Sequence, residues 1–300
     1  MLQQLKDAGY PVCKFVFPHG EESKTLETVI NVYDFLSAHG ITRSDLIIAL
    51  GGGVVGDLAG FAASSWLRGL DFIQVPTTFL AMIDSSVGGK TGVDIPQGKN
   101  LVGAFWQPKL VVCDPDTLDT LPEATFSDGV AEAIKYGAIL DSDLFSLLES
   151  KNLQEHLEEV ISRCVDLKRE VVEQDERDKG IRQWLNFGHT LGHAVETYSD
   201  FTLTHGRGVA IGMVMISEAC EKAGITPKGT AKRISDCCRR YGLPVSTDAP
   251  LATLCETCMQ DKKRAGSKIS LVILEKIGKA ALYPVEAEKL HSFLAGERCE

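Results

Sequence analysis

Between residues 46 and 57 the chain reads Leu-Ile-Ile-Ala-Leu, then Gly-Gly-Gly-Val-Val-Gly-Asp. An unbroken run of large aliphatic residues fits a strand covered on both faces, as in a parallel sheet. The glycines that follow allow a tight turn, and residues 54–66 then take helical spacing. A buried strand that turns at once into a helix opens a β-α-β unit, so this part of the chain belongs to a parallel α/β sheet.

The alternation continues to about Leu121. Strands are predicted at residues 12–17, 46–50, 72–75 and 110–113, and helices at 23–39 and 54–66. From Pro122 the pattern becomes mainly helical, with helices predicted over 126–140, 143–148, 153–174, 188–198, 208–223 and 286–294. Two β-like runs, 268–274 and 280–285, read as a small hairpin. Two domains are therefore expected, 1–121 (α/β) and 122–300 (mainly α-helical), in keeping with a length of 300 residues.

Charge and cysteine content narrow the function classes. Lys and Arg number 31 against 41 Asp and Glu, a net charge of −10, which disfavours a general nucleic-acid binder. An anionic ligand would need a local cluster of basic side chains. The most apolar region, 46–67, is interrupted by Asp57, so no membrane span is expected, and the first ten residues do not read as a signal peptide. Nine scattered cysteines fit the reducing cytoplasm better than a disulfide framework. Cys255-x-x-Cys258 with Cys237-Cys238 follows no zinc-ribbon or zinc-finger spacing and reads more simply as core thiols.

The turn carries G-x-G-x-x-G at Gly51, Gly53 and Gly56, placed after a strand and before a helix. Such a turn lets the backbone approach a pyrophosphate at a helix N-terminus, and it also serves as a plain strand-to-helix connection. The acid that usually binds a ribose at the end of the next strand is missing, since Asp71 precedes that strand. A second glycine-rich stretch, Asp84 to Asp94 and Gly98 to Gly103, reads as a loop that gathers Lys90, Lys99 and Asn100, suited to a phosphate or carboxylate, or else lying solvated on the surface. It lacks the first glycine of a Walker A loop. Farther on, His189 and His193 stand four apart on one helix face, with His205 and Glu132 nearby in kind. Histidine and carboxylate donors make catalytic zinc-type sites, although paired helical histidines are as often structural.

Across nearly the whole chain these motifs resemble 3-dehydroquinate synthase, of the sugar phosphate cyclases. The likeness lies in Gly20-Glu-Glu-Ser-Lys24, the turn 51–57, Trp66-Leu-Arg-Gly69, Pro76-Thr-Thr78, 84–90, Gly98-Lys-Asn100, Ala131 to Gly137, Asn186 to His193 and Asp261-Lys-Lys263. The resemblance implies a Rossmann-like NAD-binding domain followed by a helical metal domain. It places the metal ligands at Glu132, His189 and His205, for zinc or cobalt, and NAD+ contacts at Glu21, Lys24, Gly52, Gly53, Asp57, Thr77 and Thr78, with Lys90 and Lys99 beside them. Substrate and catalytic roles fall on Asp84, Lys90, Lys99, Asn100, Lys135, Lys168, Arg182, Asn186, His193 and Lys262, while Arg68 matches an arginine that reaches the neighbouring subunit of a homodimer.

The implied activity converts a small anionic sugar acid phosphate, 3-deoxy-D-arabino-heptulosonate 7-phosphate, to 3-dehydroquinate and phosphate, a step of aromatic amino acid biosynthesis. It runs by transient oxidation at C5, phosphate elimination, reduction and aldol closure. The alternatives are another cyclase, such as 2-deoxy-scyllo-inosose synthase, and a catalytically impaired homologue; a metal-dependent alcohol or glycerol dehydrogenase would leave the lysine set without a purpose. Three departures stand out. Family members usually begin roughly 40 to 50 residues earlier, enough for a strand and its connections. The usual His-Gly-Glu-Ala is His205-Gly206-Arg207-Gly208, and Asp178 replaces a glutamate ahead of Arg182.

Overall fold

The computed structural model describes residues 1–262 and 268–297, with Gln260, Asp261 and Lys262 described as helical backbone alone. The side chain of Lys262, an expected substrate ligand, lies outside the described residues. The chain divides into two compact units, Met1–Thr77 with Ser85–Asp114, and Thr78–Asp84 with Pro115–Glu300. Against an expected first domain of residues 1–121, Thr78–Asp84 groups with the helical unit.

The first unit contains α1 (Leu2–Asp7), α2 (Leu26–Ala38), β1 (Leu46–Gly51), α3 (Gly53–Ser65), β2 (Asp71–Pro76), β3 (Lys90–Ile95), β4 (Gly98–Phe105) and β5 (Leu110–Val111). Strands β1, β2 and β5 form a parallel sheet in that order, with Leu46 opposite Asp71 and Gly51 opposite Pro76. Helix α2 starts where the Thr25 hydroxyl accepts the Thr28 amide at 3.2 Å, an N-cap that satisfies one orphan donor. Its buried Val29, Val32 and Leu36 meet Leu58 and Ala62 of α3 and Val93 of β3. Gly60 lets α3 lie close to the sheet, because a Cβ there would approach the Phe72 ring to 3.0 Å.

Two expectations are corrected here. Residues 12–17 form no strand: Phe15 and Phe17 pack on the α2–α3 core and Val16 is 71% exposed, so the alternation is present, but no described strand pairs with it. The lysine-bearing stretch read as a loop is instead largely the antiparallel hairpin β3–β4, with Lys90 opposite Phe105 and Gly92 opposite Gly103. A Cβ on Gly92 would come within 2.7 Å of the Val102 carbonyl, so these glycines serve close strand pairing.

The second unit contains α4 (Glu123–Ile139), α5 (Ser142–Ser150), α6 (Leu157–Gln174), α7 (His189–Tyr198), α8 (His205–Lys222), α9 (Thr230–Arg240), α10 (Leu251–Lys262), the antiparallel hairpin β6 (Lys268–Lys276) and β7 (Lys279–Glu286), and α11 (Leu290–Ala295). Helices α4 and α8 supply its centre: every residue from Gly129 to Ile139 is buried, as are most of those along α8. Cys164, Cys220, Cys237, Cys238, Cys255 and Cys258 are buried free thiols. No described helix is long and apolar enough to cross a membrane.

Candidate active site

In the second unit, three helices deliver one donor each to a single point. Glu132 comes from the buried middle of α4, His189 from the first residue of α7 and His205 from the first residue of α8. The Glu132 Oε1 atom lies 3.5 Å from the Nε2 atoms of both histidines. It is buried and accepts no hydrogen bond. One ligand atom from each of the three side chains falls within 4.8 Å of the others, a carboxylate and two imidazoles that suit zinc or cobalt. A divalent ion fits this donor set, since an orphaned buried carboxylate oxygen faced by two ring nitrogens costs less once a cation binds all three.

The titration of these groups agrees with that reading. Burial would raise the Glu132 carboxyl, but Lys135 and His189 outweigh it and hold it at about 2. Burial lowers His189 to about 3, leaving a neutral ring with a free lone pair. His205 goes the other way: Glu132 and Glu196 overcome burial and raise it to about 10, so this position favours positive charge.

Beyond Glu132 a row of buried charges continues. Lys135 forms an ion pair with Glu132 and lies 3.2 Å from Asp84 Oδ2, which also accepts from the Tyr136 hydroxyl at 3.2 Å. Lys168 pairs with Asp84 Oδ1 and donates to the Asp84 carbonyl at 2.7 Å. Burial would raise the Asp84 carboxyl, yet Lys168 and Lys135 hold it well below the usual range. Lys135 is raised against its burial by Glu132 and Asp84, whereas burial dominates at Lys168 and lowers it.

Arg182 is buried in the short helical turn Ile181–Asn186, and its backbone N–H donates to Asp175 at 3.1 Å. Burial lowers its pKa against Asp178, Asp84 and Asp175. Asp178, the shortened acid of the sequence, adopts a left-handed φ of 59°, a conformation that Asp tolerates better than Glu. Asn186, His189 and His193 line a cavity of about 220 Å³ together with Gln183, Thr190 and Cys258. His193 is half exposed beside the metal-type cluster. Thr78 stands at the start of the segment that carries Asp84, with its hydroxyl accepting the Ala81 amide at 3.2 Å.

The first unit brings together the other predicted set. Lys24 is buried, 3.1 Å from both Glu21 Oε1 and Asp57 Oδ2. Burial would lower its pKa, but Asp57 and Glu21 raise it. Gly52 is the N-cap of α3 and provides no side-chain cap, and its carbonyl accepts the Val55 and Gly56 amides at 3.1 and 3.2 Å, so the Gly53 and Val54 amides are the ones at the open N-terminus of this 13-residue helix, directly after β1. Such a cradle fits a dinucleotide pyrophosphate. The Thr77 amide ties the end of β2 back to the Gly51 carbonyl at 2.9 Å. Lys90, Lys99 and Asn100 sit exposed on the β3–β4 hairpin, and the Asn100 amide donates to Asp94 at 2.7 Å with φ at 54°. Arg68 is exposed with φ at 69°.

Residues 14–128 match the family described as 3-dehydroquinate synthase N-terminal, and residues 129–264 match 3-dehydroquinate synthase C-terminal. The chain belongs to the 3-dehydroquinate synthase family. It is 51% identical over 286 residues to the 3-dehydroquinate synthase of Clostridium botulinum, spanning 93% of this chain and 82% of that one. The Streptococcus pneumoniae 3-dehydroquinate synthase is 46% identical over 297 residues, 97% of this chain and 84% of that one. Among solved structures, a 2-deoxy-scyllo-inosose synthase complexed with carbaglucose-6-phosphate, NAD+ and Co2+ superposes with a TM-score of 0.83 at 29% identity, covering 93% of this chain and 81% of that one. A 2-epi-5-epi-valiolone synthase from Streptomyces hygroscopicus with NAD+ and Zn2+ bound gives 0.84 at 28% identity over 93% and 81%.

Two further residues touch these clusters without having been singled out from the sequence. Tyr136 lies inside the quoted Ala131 to Gly137 motif, yet it received no role. Glu196 stands three residues after His193, so the helical repeat alone puts it on the histidine face, and its Oε1 is 3.1 Å from His205 Nδ1.

Proposed function

We propose that this chain is a 3-dehydroquinate synthase, converting 3-deoxy-D-arabino-heptulosonate 7-phosphate to 3-dehydroquinate and phosphate. The observation that carries the reading is the buried Glu132 Oε1, faced by His189 and His205 at 3.5 Å each, at the end of the Lys168–Asp84–Lys135 row. In this reading NAD+ supplies a reversible hydride acceptor, and a divalent ion such as zinc or cobalt, held by Glu132, His189 and His205, supplies Lewis acidity at the substrate hydroxyls. Glu21, Lys24, Gly52, Gly53, Asp57, Thr77 and Thr78 take the dinucleotide.

The chain's own side chains bind and orient. The neutral His189 ring offers its Nε2 lone pair without first losing a proton, because burial keeps it at about 3. Lys135 and Lys168 are fixed by Asp84, so their ammonium groups are already oriented for an anionic substrate. In this reading Arg182, Asn186 and His193, with Lys99, serve the substrate end, and Lys90, Asn100, Arg68 and Lys262 hold the phosphate. A homodimer, with Arg68 serving the neighbouring subunit, and a cytoplasmic setting complete the proposal; the free thiols support a reducing compartment.

The test is phosphate release from the heptulosonate substrate by purified protein with NAD+ and zinc or cobalt. No release would end this reading, and turnover of glucose 6-phosphate instead would assign the chain to another cyclase specificity. Calorimetric titration with NAD+ tests the impaired-homologue alternative, which predicts no normal binding.

A further inference from the structure

We propose that Glu196 is a positioning residue that sets the ring tautomers of His205 and His193, directing Nε2 of the first to the metal position and Nε2 of the second to the substrate. The inference rests on the metal-site reading above. Glu196 is 5% exposed on α7. Its Oε1 lies 3.1 Å from His205 Nδ1 and 3.5 Å from His193 Nδ1.

An ionised carboxylate can only accept hydrogen bonds, so a neutral imidazole that faces it with Nδ1 carries its hydrogen there. In the metal-bound state, where an ion takes the place of the second ring proton that Glu132 and Glu196 favour on His205, the lone pair is at Nε2. For His205 that atom points to the opposite side of the ring, 3.5 Å from Glu132 Oε1. His189 reaches the same state by another route, with Nδ1 3.2 Å from the Phe187 carbonyl and Nε2 3.5 Å from Glu132. Each imidazole of the donor set thus has an acceptor behind it, one from the backbone and one from Glu196. Such outer partners fix ligand orientation and basicity.

The contact between α7 and α8 is shaped around this carboxylate. A Cβ on Gly208 would lie 2.9 Å from both Cγ and Oε1 of Glu196, so only glycine leaves room for the carboxylate there. His193, Glu196 and His205 could also be read as a second cation site, since their donor atoms cluster within 4.8 Å. That arrangement would require both nitrogens of His205 to bind metal at once, and so a doubly deprotonated ring. The tautomer role requires no such loss.

The experiment titrates the metal-free full chain with Co2+, following heat and the visible absorption of the bound ion, for wild type, Glu196→Gln and Glu196→Ala. Folding is checked by circular dichroism. Glu196→Ala is expected to bind roughly 10- to 100-fold more weakly. Glu196→Gln keeps the shape and one oxygen acceptor without the charge and is expected to recover only part of that loss, whereas a merely space-filling role would recover it in full. Histidine nitrogen NMR of the zinc-loaded wild type is expected to show His205 protonated at Nδ1. Affinity and spectrum unchanged in both variants, His205 protonated at Nε2, or two ions per chain would each overturn the assignment. If wild type takes up no Co2+, the metal reading itself fails, a result distinct from wild-type binding with indifferent variants. Should Glu196→Ala not fold, Glu196→Gln and the NMR measurement decide the matter.

Discussion

Gly212 of α8 lies directly on the carbonyl of Gly188, so close that a Cβ at residue 212 would overlap that oxygen. Gly192 also stands near the backbone of Gly208, where a Cβ would fall 2.8 Å from its carbonyl carbon. This glycine seam lets α7 and α8 approach backbone to backbone, and their first residues are His189 and His205. The metal geometry is therefore a product of helix packing.

Gly212→Ala is expected to force the two helices apart. Overpacking at a rigid backbone contact costs roughly 1–3 kcal/mol, and here no flexible side chain can yield. The outcome to look for is a lower midpoint in chemical denaturation together with weaker Co2+ uptake. Reduced stability with normal metal affinity would show that the seam does not set the histidine spacing.

The Asp84 carboxylate serves two buried ammonium groups, Lys135 and Lys168, and the Tyr136 hydroxyl. Replacing it with alanine leaves Lys168 with only the residue-84 backbone carbonyl and Lys135 with only Glu132 in a low-dielectric interior, and breaking a buried pair in this way typically costs about 3–5 kcal/mol. Asp84→Ala should thus be markedly destabilised in urea. The double variant with Lys168→Met should regain part of the loss, and an absence of any such recovery would argue that the row is not coupled.

How much of this was legible beforehand differs between the units. The run from Leu46 to Asp57 gave strand, turn and helix to within a residue or two, because local propensity and packing agree there. The segment 12–17 misled because alternation reports a buried face and says nothing about a pairing neighbour. In β3–β4 the glycines suggested a loop, while their real use is a close strand crossing visible only with both strands in place. Helices α9 and α10 were not foreseen, although α9 follows a left-handed Gly229 that sets off its start. At the site, His189 and His193 could be placed on one face from spacing, but only the resemblance chose between them. Glu132 joins through a separate helix, which no local pattern encodes.

The two lysine and histidine sets are expected to separate cleanly by function. His189→Ala removes one of three donors around Glu132 Oε1, so metal retention should be abolished. Lys90 lies exposed on β3, in the unit that does not hold those donors. Lys90→Ala should retain metal and lose turnover. Metal analysis after dialysis gives the comparison, and equal occupancy in the two variants would contradict the assignment.

The last prediction concerns acid stability. Asp141 caps α5, accepting the Asp143 and Leu144 amides at 3.0 Å each, and Arg163 grips the same carboxylate at 2.7 and 2.6 Å. Burial would raise its pKa, but Arg163 and the helix amides outweigh that and hold it below its ordinary value. A carboxyl depressed in the folded state adds stability above its unfolded pKa of roughly 3.9, and that contribution disappears as the pH falls through the folded value. Asp141→Asn keeps an oxygen for the cap and loses the charge on Arg163's partner. The variant should be less stable than wild type by about 1 kcal/mol or less near neutrality, since Arg163 is partly exposed. The two denaturation curves should converge as the pH drops below that of an ordinary aspartate. A gap that stayed constant through the acid range would show that the Asp141 charge contributes nothing and that the difference lies in shape alone.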